Sequence, residues 1–164
     1  VTIDGVTIED VIEFENDWKK NIEDYKKVKD ECKVDEQVIE KTNEHEIVYK
    51  MINIPCRFVS DRDIIERSDY FVSLDQKKFL KVNTSVKRND IPEKSNAVRM
   101  SKYQGLLYEE RNGQVHFTEI STHDLGGWIS ASWSNKGLVE NAKGGLKMRN
   151  DILKSIKTKR VNNL

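Results

Sequence analysis

A strand-forming run that stops at a proline and resumes behind an Arg-Asp pair constrains this chain more than any other feature. It reads Ile54-Pro55-Cys56-Arg57-Phe58-Val59-Ser60-Asp61-Arg62-Asp63-Ile64-Ile65. Residues 46–54 before the break and 64–74 after it are rich in Ile, Val, Tyr and Phe, and both predict strands. Pro55 offers no N–H to a ladder and disfavours helix at Ile54, so the chain must leave the sheet there. Phe58 and Val59 then fall on a loop, where apolar side chains need burial against something to be justified.

Around this break the chain is a series of hairpins with helices at its ends. Ile8, Val11, Ile12 and Phe14 predict a short helix over 8–16 with Thr7 as its cap, and Trp18, Ile22 and Tyr25 continue at helical spacing. Residues 33–40 predict a strand that turns through Thr42-Asn43-Glu44 into 46–54. The run 64–74 pairs with 78–86 around Asp75-Gln76, and 88–94, with Asn89, Asp90 and Pro92, is a loop. Residues 97–110 and 114–123 form a further hairpin across Arg111-Asn112-Gly113, a strong turn signal. The last helix, 138–156, carries Leu138, Ala142, Gly145, Arg149, Ile152 and Ile156 along one stripe, with Leu146 and Leu153 beside it. Six or seven antiparallel strands and one long helix predict an α+β fold, a curved antiparallel sheet wrapped around a long C-terminal helix. Gly144 and Gly145 interrupt that helix at roughly 1 kcal/mol each relative to Ala, which implies either close packing on the sheet or a mobile lid.

With 164 residues, the chain predicts a single domain over 1–164, and 34% charged residues at a mean hydropathy of −0.70 predict a soluble one. No stretch approaches a membrane span and no apolar leader opens the sequence. Cys32 and Cys56 fit neither a zinc site nor a disulfide framework, so a reducing, cytoplasmic setting is the simplest expectation. The net charge of zero hides an asymmetry: eight acids against two lysines over 1–24, and eight bases against two acids over 136–160. A basic last helix would be drawn to an anionic membrane surface or a phosphate. Nucleic acid is not expected, because no basic stripe with interleaved aromatics lies on the strands. The histidines His45, His116 and His123 lack metal spacing, and there is no nucleophile elbow, phosphate loop or dinucleotide fingerprint. No catalytic residue, metal or cofactor is therefore assigned. Trp128 and Trp133 are read either as core anchors or as membrane-interface contacts.

In order and spacing, these pieces resemble the steroidogenic-acute-regulatory-related lipid transfer (START) domains. The resemblance rests on the Pro55 loop ending at Arg62-Asp63, on Val98-Arg99 before the run Gly105-Leu106-Leu107-Tyr108, and on Asp124-Leu125-Gly126-Gly127-Trp128-Ile129 before the last helix. Ser130 stands where the family usually has Pro, and the first helix and edge hairpin of a usual member have no counterpart at the amino end. The resemblance implies a helix-grip cup in which one lipid lies between sheet and helix. Sterol-binding relatives place an Arg inside the cup at the position of Ser68, with Arg67 one residue off and facing away, so a phospholipid or other acyl lipid is expected instead.

On this reading Pro55, Phe58 and Val59 form a gate, and Arg62 and Asp63 either fasten the loop or set its open and closed positions. Ser68 or Tyr70 would hydrogen-bond the head group. Ala142, Gly145, Leu146 and Ile152 supply the lid, with Arg149 on the same stripe. The expected state is a monomer touching anionic membranes transiently. Two other readings stay open: a small-molecule enzyme on the same cup, favoured if His116 or His123 faces inward, and a ligand-sensing or interaction module whose cup is filled by side chains.

Overall fold

The computed structural model describes residues 1–16, 34–54, 59–129 and 131–162, and within the last helix the side chains at 139, 143–156 and 158. In chain order the elements are β1 (Thr2–Asp4), α1 (Ile8–Asn16), β2 (Val34–Lys41), β3 (His45–Ile52), β4 (Asp61–Ser73), β5 (Lys78–Ser85), β6 (Ala97–Arg99), β7 (Ser101–Arg111), β8 (Gln114–Asp124) and α2 (Ala131–Asn162). Among the described residues eight strands form one sheet in the order β1-β8-β7-β5-β4-β3-β2, antiparallel along that path, with β6 parallel to the start of β4. Both helices lie on the same face of it.

Local chemistry sets the corners. Asn112 and Gly113 both adopt positive φ, 54° and 73°, the conformation that a two-residue hairpin between twisted strands requires. Thr42 Oγ1 accepts the N–H groups of Glu44 and His45, closing the β2–β3 turn. At the head of α1, Thr7 Oγ1 accepts from the Asp10 N–H while the Asp10 carboxylate accepts from the Thr7 N–H at 2.9 Å, a reciprocal cap.

Three expectations are corrected. β4 begins at Asp61, three residues earlier than its apolar run, because Arg62 and Asp63 belong to the ladder with Ile52 and Met51. The single strand expected over 97–110 is broken at Met100, whose N–H bonds Asp63 O at 2.9 Å. β6 fills the edge of β4 beyond the end of β5, and the chain then steps out to β7. The short β1, which the sequence did not signal, pairs with β8 through Ile3↔Val115. The helical reading of 18–25 lies outside the described residues.

The main core packs α1 and the carboxy half of α2 onto one end of the sheet: Phe14, Phe79, Leu106, Tyr108, Phe117, Ile152 and Leu153 are buried together. Aromatic side chains form its spine, with Tyr108 and Phe117 centroids 4.6 Å apart. Full burial of each such side chain stabilises by about 1.5–3 kcal/mol. A second cluster, Ile47, Tyr49 and Ile65 with Ile39, Met51, Val86 and Ile91 against it, lies on the opposite face. The segment between β5 and β6 contributes Val86 and Ile91 to it, so β4 is buried on both faces from Arg62 to Glu66.

Candidate functional site

Strand register decides what lines the helix-covered face. Direct partners across a sheet share a face, so Tyr70, Lys81, Leu106 and Glu119 form one row, Ser68, Asn83, Gln104 and Ser121 the next, and Glu66, Ser85, Lys102 and His123 follow. Lys50 lies on this face, paired with Ile64. Beyond the aromatic core, then, this face is mixed: the buried Val48 and Ile64 lie on it among charged and amide side chains.

The polar groups are joined in two networks. In the first, Ser68 Oγ donates to Asn83 Oδ1 at 2.7 Å, Asn83 Nδ2 to Gln104 Oε1 at 2.8 Å, and Gln104 to Glu119, a chain across four strands. Beside it, the buried Glu66 carboxylate receives Lys50 at 2.9 Å and Lys102 at 2.8 Å. In the second network Glu15 of α1, with a fully buried side chain, receives Lys81 at 3.1 Å, Arg149 at 2.6 Å and the Tyr108 hydroxyl at 2.8 Å. Arg149 Nη1 also bonds the Tyr108 oxygen at 2.7 Å. A single carboxylate thus ties α1, β5, β7 and α2 together.

Burial by itself would raise both carboxyls. For Glu15 the charges of Lys81 and Arg149 and the Tyr108 hydroxyl outweigh it, bringing the pKa down from 4.5 to about 2, and Lys50 and Lys102 do the same for Glu66. Carboxylates with depressed values stabilise the fold above their unfolded pKa and lose that contribution as pH falls through the folded one. Stability should therefore hold above pH 4.5 and drop between there and about 2. Urea melts across this window check it, and a flat profile would contradict the two networks.

His123 is the group that these networks leave out. Its Nε2 is buried and has no hydrogen-bond partner among the described residues. Burial and the nearby Lys102 charge hold its pKa below the ordinary 6.5, so the ring is neutral at neutral pH. His116, in contrast, lies on the other face near Thr2.

Arg62 and Asp63 do not pair with each other. Arg62 Nε donates to Leu125 O at 2.6 Å and Nη2 to Gly126 O at 3.3 Å, while Nη1 reaches the Ser60 carbonyl. On the opposite face Asp63 accepts a bidentate pair from Arg99 at 2.8 and 2.9 Å and the Tyr49 hydroxyl at 3.1 Å. Asp61 Oδ1 accepts from the Ile54 N–H at 3.0 Å, drawing the two ends of the proline loop together.

The other expected site residues divide. Ser68 is buried on the covered face, and Arg67 faces away to Asp69 at 2.7 Å, as the two-residue period requires. The Tyr70 hydroxyl is directed at Glu46. Arg149 and Ile152 are buried and Leu146 packs beside them, but a Cβ added at Gly144 or Gly145 would meet nothing within 4 Å among the described residues, so close packing against those residues does not explain that pair. Val59 is half-buried. Pro55 and Phe58, and the side chain of Ala142, lie outside the described residues. Trp128 is fully exposed, which overturns its reading as a core anchor.

No protein-family model matches the sequence, and no curated protein does. Solved structures do match. Human STARD10 superposes over 100% of this chain and 66% of its own, with a TM-score of 0.77 at 19% identity. A STAR-related lipid transfer protein from Xanthomonas axonopodis covers 94% of this chain and 82% of its own, at 0.69 and 17%. The human StarD13 lipid transfer and protein localization domain covers 93% and 71%, at 0.62 and 20%. An open, mainly antiparallel sheet gripping a C-terminal helix, aligned over 93% to 100% of the chain with such structures, gives this protein the helix-grip fold of the START domains.

Proposed function

We propose that this protein binds and carries one lipid, with the head group on the polar band of the sheet and the lipid between the sheet and α2. The observation that carries the reading is His123. A buried ring nitrogen with no partner costs about 1–3 kcal/mol, and it sits beside Lys102 and Glu119 on the covered face. A bound hydroxyl, amide or phosphate would supply the missing hydrogen bond. Ser68 and Tyr70 already have partners, so the head-group role moves from them to His123, which lies in register with the Lys102 that is itself paired to Glu66. A phospholipid or other acyl lipid fits better than a sterol, since the face carries many polar groups and a sterol offers one hydroxyl.

Carriage follows from solvation. A lipid leaving a bilayer loses about 0.8 kcal/mol of burial per CH₂ unless the carrier encloses the chain. The loop from Ile54 to Asp61, with Pro55, Phe58 and Val59, is the proposed gate, and α2 around Ala142, Gly145, Leu146 and Ile152 the lid. No helix among the described residues is long and apolar enough to cross a membrane.

Native mass spectrometry after mild purification tests this, with a one-to-one complex with an acyl lipid as the expected result. His123→Ala should weaken retention of that lipid by about tenfold, the worth of one hydrogen bond. An empty protein whose melting temperature no lipid raises would refute the reading. His123 facing inward also favours the second reading, an enzyme on the same cup. Turnover of the bound molecule, abolished by His123→Ala, would establish it.

A further inference from the structure

The face of the sheet turned away from α2 carries an apolar patch on β7 and β8. By register, Tyr103 of β7 stands beside Thr122 of β8, Gly105 beside Ile120, and Leu107 beside Thr118. All six lie on the outer face, because the alternating residues Leu106, Tyr108 and Phe117 are buried in the core on the helix side. Tyr103 is 58% exposed and Ile120 76%. A Cβ added at Gly105 would meet nothing within 4 Å among the described residues, so this glycine leaves a hollow in the middle of the sheet. A groove of about 340 Å³ runs over it, lined by Val82, Tyr103, Ile120 and Thr122 among others. Scattered apolar side chains on a surface are ordinary, but a contiguous set around a hollow marks a place of contact.

Each of the three rows sets one large side chain beside a small one, and the large one alternates between the strands: Tyr on β7, Ile on β8, Leu on β7. A two-fold axis running along the strands, midway between β7 and β8, lays β7 of one copy over β8 of a second. Under that operation Tyr103 falls on Thr122, Ile120 on the Gly105 hollow and Leu107 on Thr118, and each contact occurs twice, as an isologous interface requires. Sheets packed face to face keep their strands within about 30° of each other and interdigitate side chains across ~10 Å, the geometry this pattern suits. One row further along, Glu109 meets His116 of the second copy. Two strands wide and four rows long, the contact covers roughly 500 Å² per copy, or about 1,000 Å² in all, the lower limit of a specific interface. The association is accordingly weak and reversible.

We propose that this outer face is a homodimer interface in which Ile120 of each copy enters the hollow over Gly105 of the other. A second copy is the occupant because knob and hollow stand side by side on one surface and fit each other only through a two-fold; a different protein would have no need of the alternation. The two copies pack back to back, so both helix-covered faces stay turned outward. The proposal goes beyond the carrier reading and does not rest on it, since α2 and His123 belong to the opposite face.

Sedimentation equilibrium of the full chain, from about 1 μM to about 500 μM to bracket a weak interface, tests it. The weight-average mass should climb from 19.1 kDa toward twice that value. Ile120→Lys should raise the dissociation constant about a hundredfold, because the symmetry removes the contact twice. Gly105→Ile should do the same by filling the hollow; Gly105 does not adopt positive φ, so the strand accepts a side chain there. The double replacement Gly105→Ile with Ile120→Gly exchanges knob and hollow and should restore the dimer, a recovery that general damage to the fold cannot produce. Should Ile120→Lys fold poorly, Ile120→Thr, β-branched and suited to a strand, takes its place. A chain that stays at 19.1 kDa across the whole range overturns the proposal, as when the patch serves a different protein. So does a dimer that survives Ile120→Lys, or a folded double variant that remains monomeric, since either places the association on another surface.

Discussion

Glu15→Gln should destabilise this protein by about 3–5 kcal/mol, the range expected when one member of a buried ion cluster is removed. The carboxylate has no exposed surface, and Lys81, Arg149 and the Tyr108 hydroxyl all converge on it. The substitution keeps the volume and some of the hydrogen bonds, so the loss is that of charge: two buried cations lose the anion they share. For a domain of this size the melting temperature should fall by roughly 10 °C or more. The effect is specific enough to be reversed. Adding Arg149→Met, which removes one of those cations and fills the space with an apolar side chain, should recover part of the loss. If Glu15→Gln melted within a degree or two of the parent, the cluster could not be what fastens α2 to α1 and the sheet.

The second large effect is expected at Asp63. Asp63→Ala should cost about 3 kcal/mol, because it strips a bidentate guanidinium of its carboxylate and leaves the buried Tyr49 hydroxyl without its acceptor. The damage should be local as well as global. Asp63 faces the cluster beneath the β5–β6 segment and is paired in register with Arg99 of β6, so amide exchange should quicken first across 97–100 and 86–91. Asp63→Asn retains an acceptor and should cost clearly less. Equal losses for Ala and Asn would show that charge, and not geometry, is what holds β6 to β4.

Much of the fold was legible because its signals are local. Alternation along 64–74, the Asn112-Gly113 turn and the Thr7 cap each depend on neighbouring residues, and the strands and α1 follow them closely. The two-residue period put Ser68 and Arg67 on opposite faces, and the family resemblance indicated which of them points inward. What could not be read is long-range. Arg149 lies on the expected helix stripe, but nothing near it in sequence points to Glu15, 134 residues away. The polar band has the same origin: Lys102, Glu66 and Lys50 look like solvated strand residues until the register lines them up on the covered face. β1 is too short to show alternation, and the break at Met100 arises from where β5 ends, a fact of another strand. Arg62 and Asp63 are neighbours in sequence, yet they work on opposite sides of the sheet and for different loops, as adjacent residues on a strand must.

The placement of Arg149 has a mechanical consequence for α2. A helix of 32 residues is ~48 Å long, and it is riveted within its carboxy half, where Arg149 meets Glu15 and where Ile152 and Leu153 are sunk into the aromatic core. The pair Gly144-Gly145 sits just ahead of that rivet, and among the described residues nothing fills the space where their side chains would be. Such a beam is stiff beyond its fixing and weakest immediately in front of it, so a load applied to the amino half would flex it at the glycines and spare the clamped end. The protein could then swing half of its longest rod through a wide arc at no expense to the folding unit that anchors it.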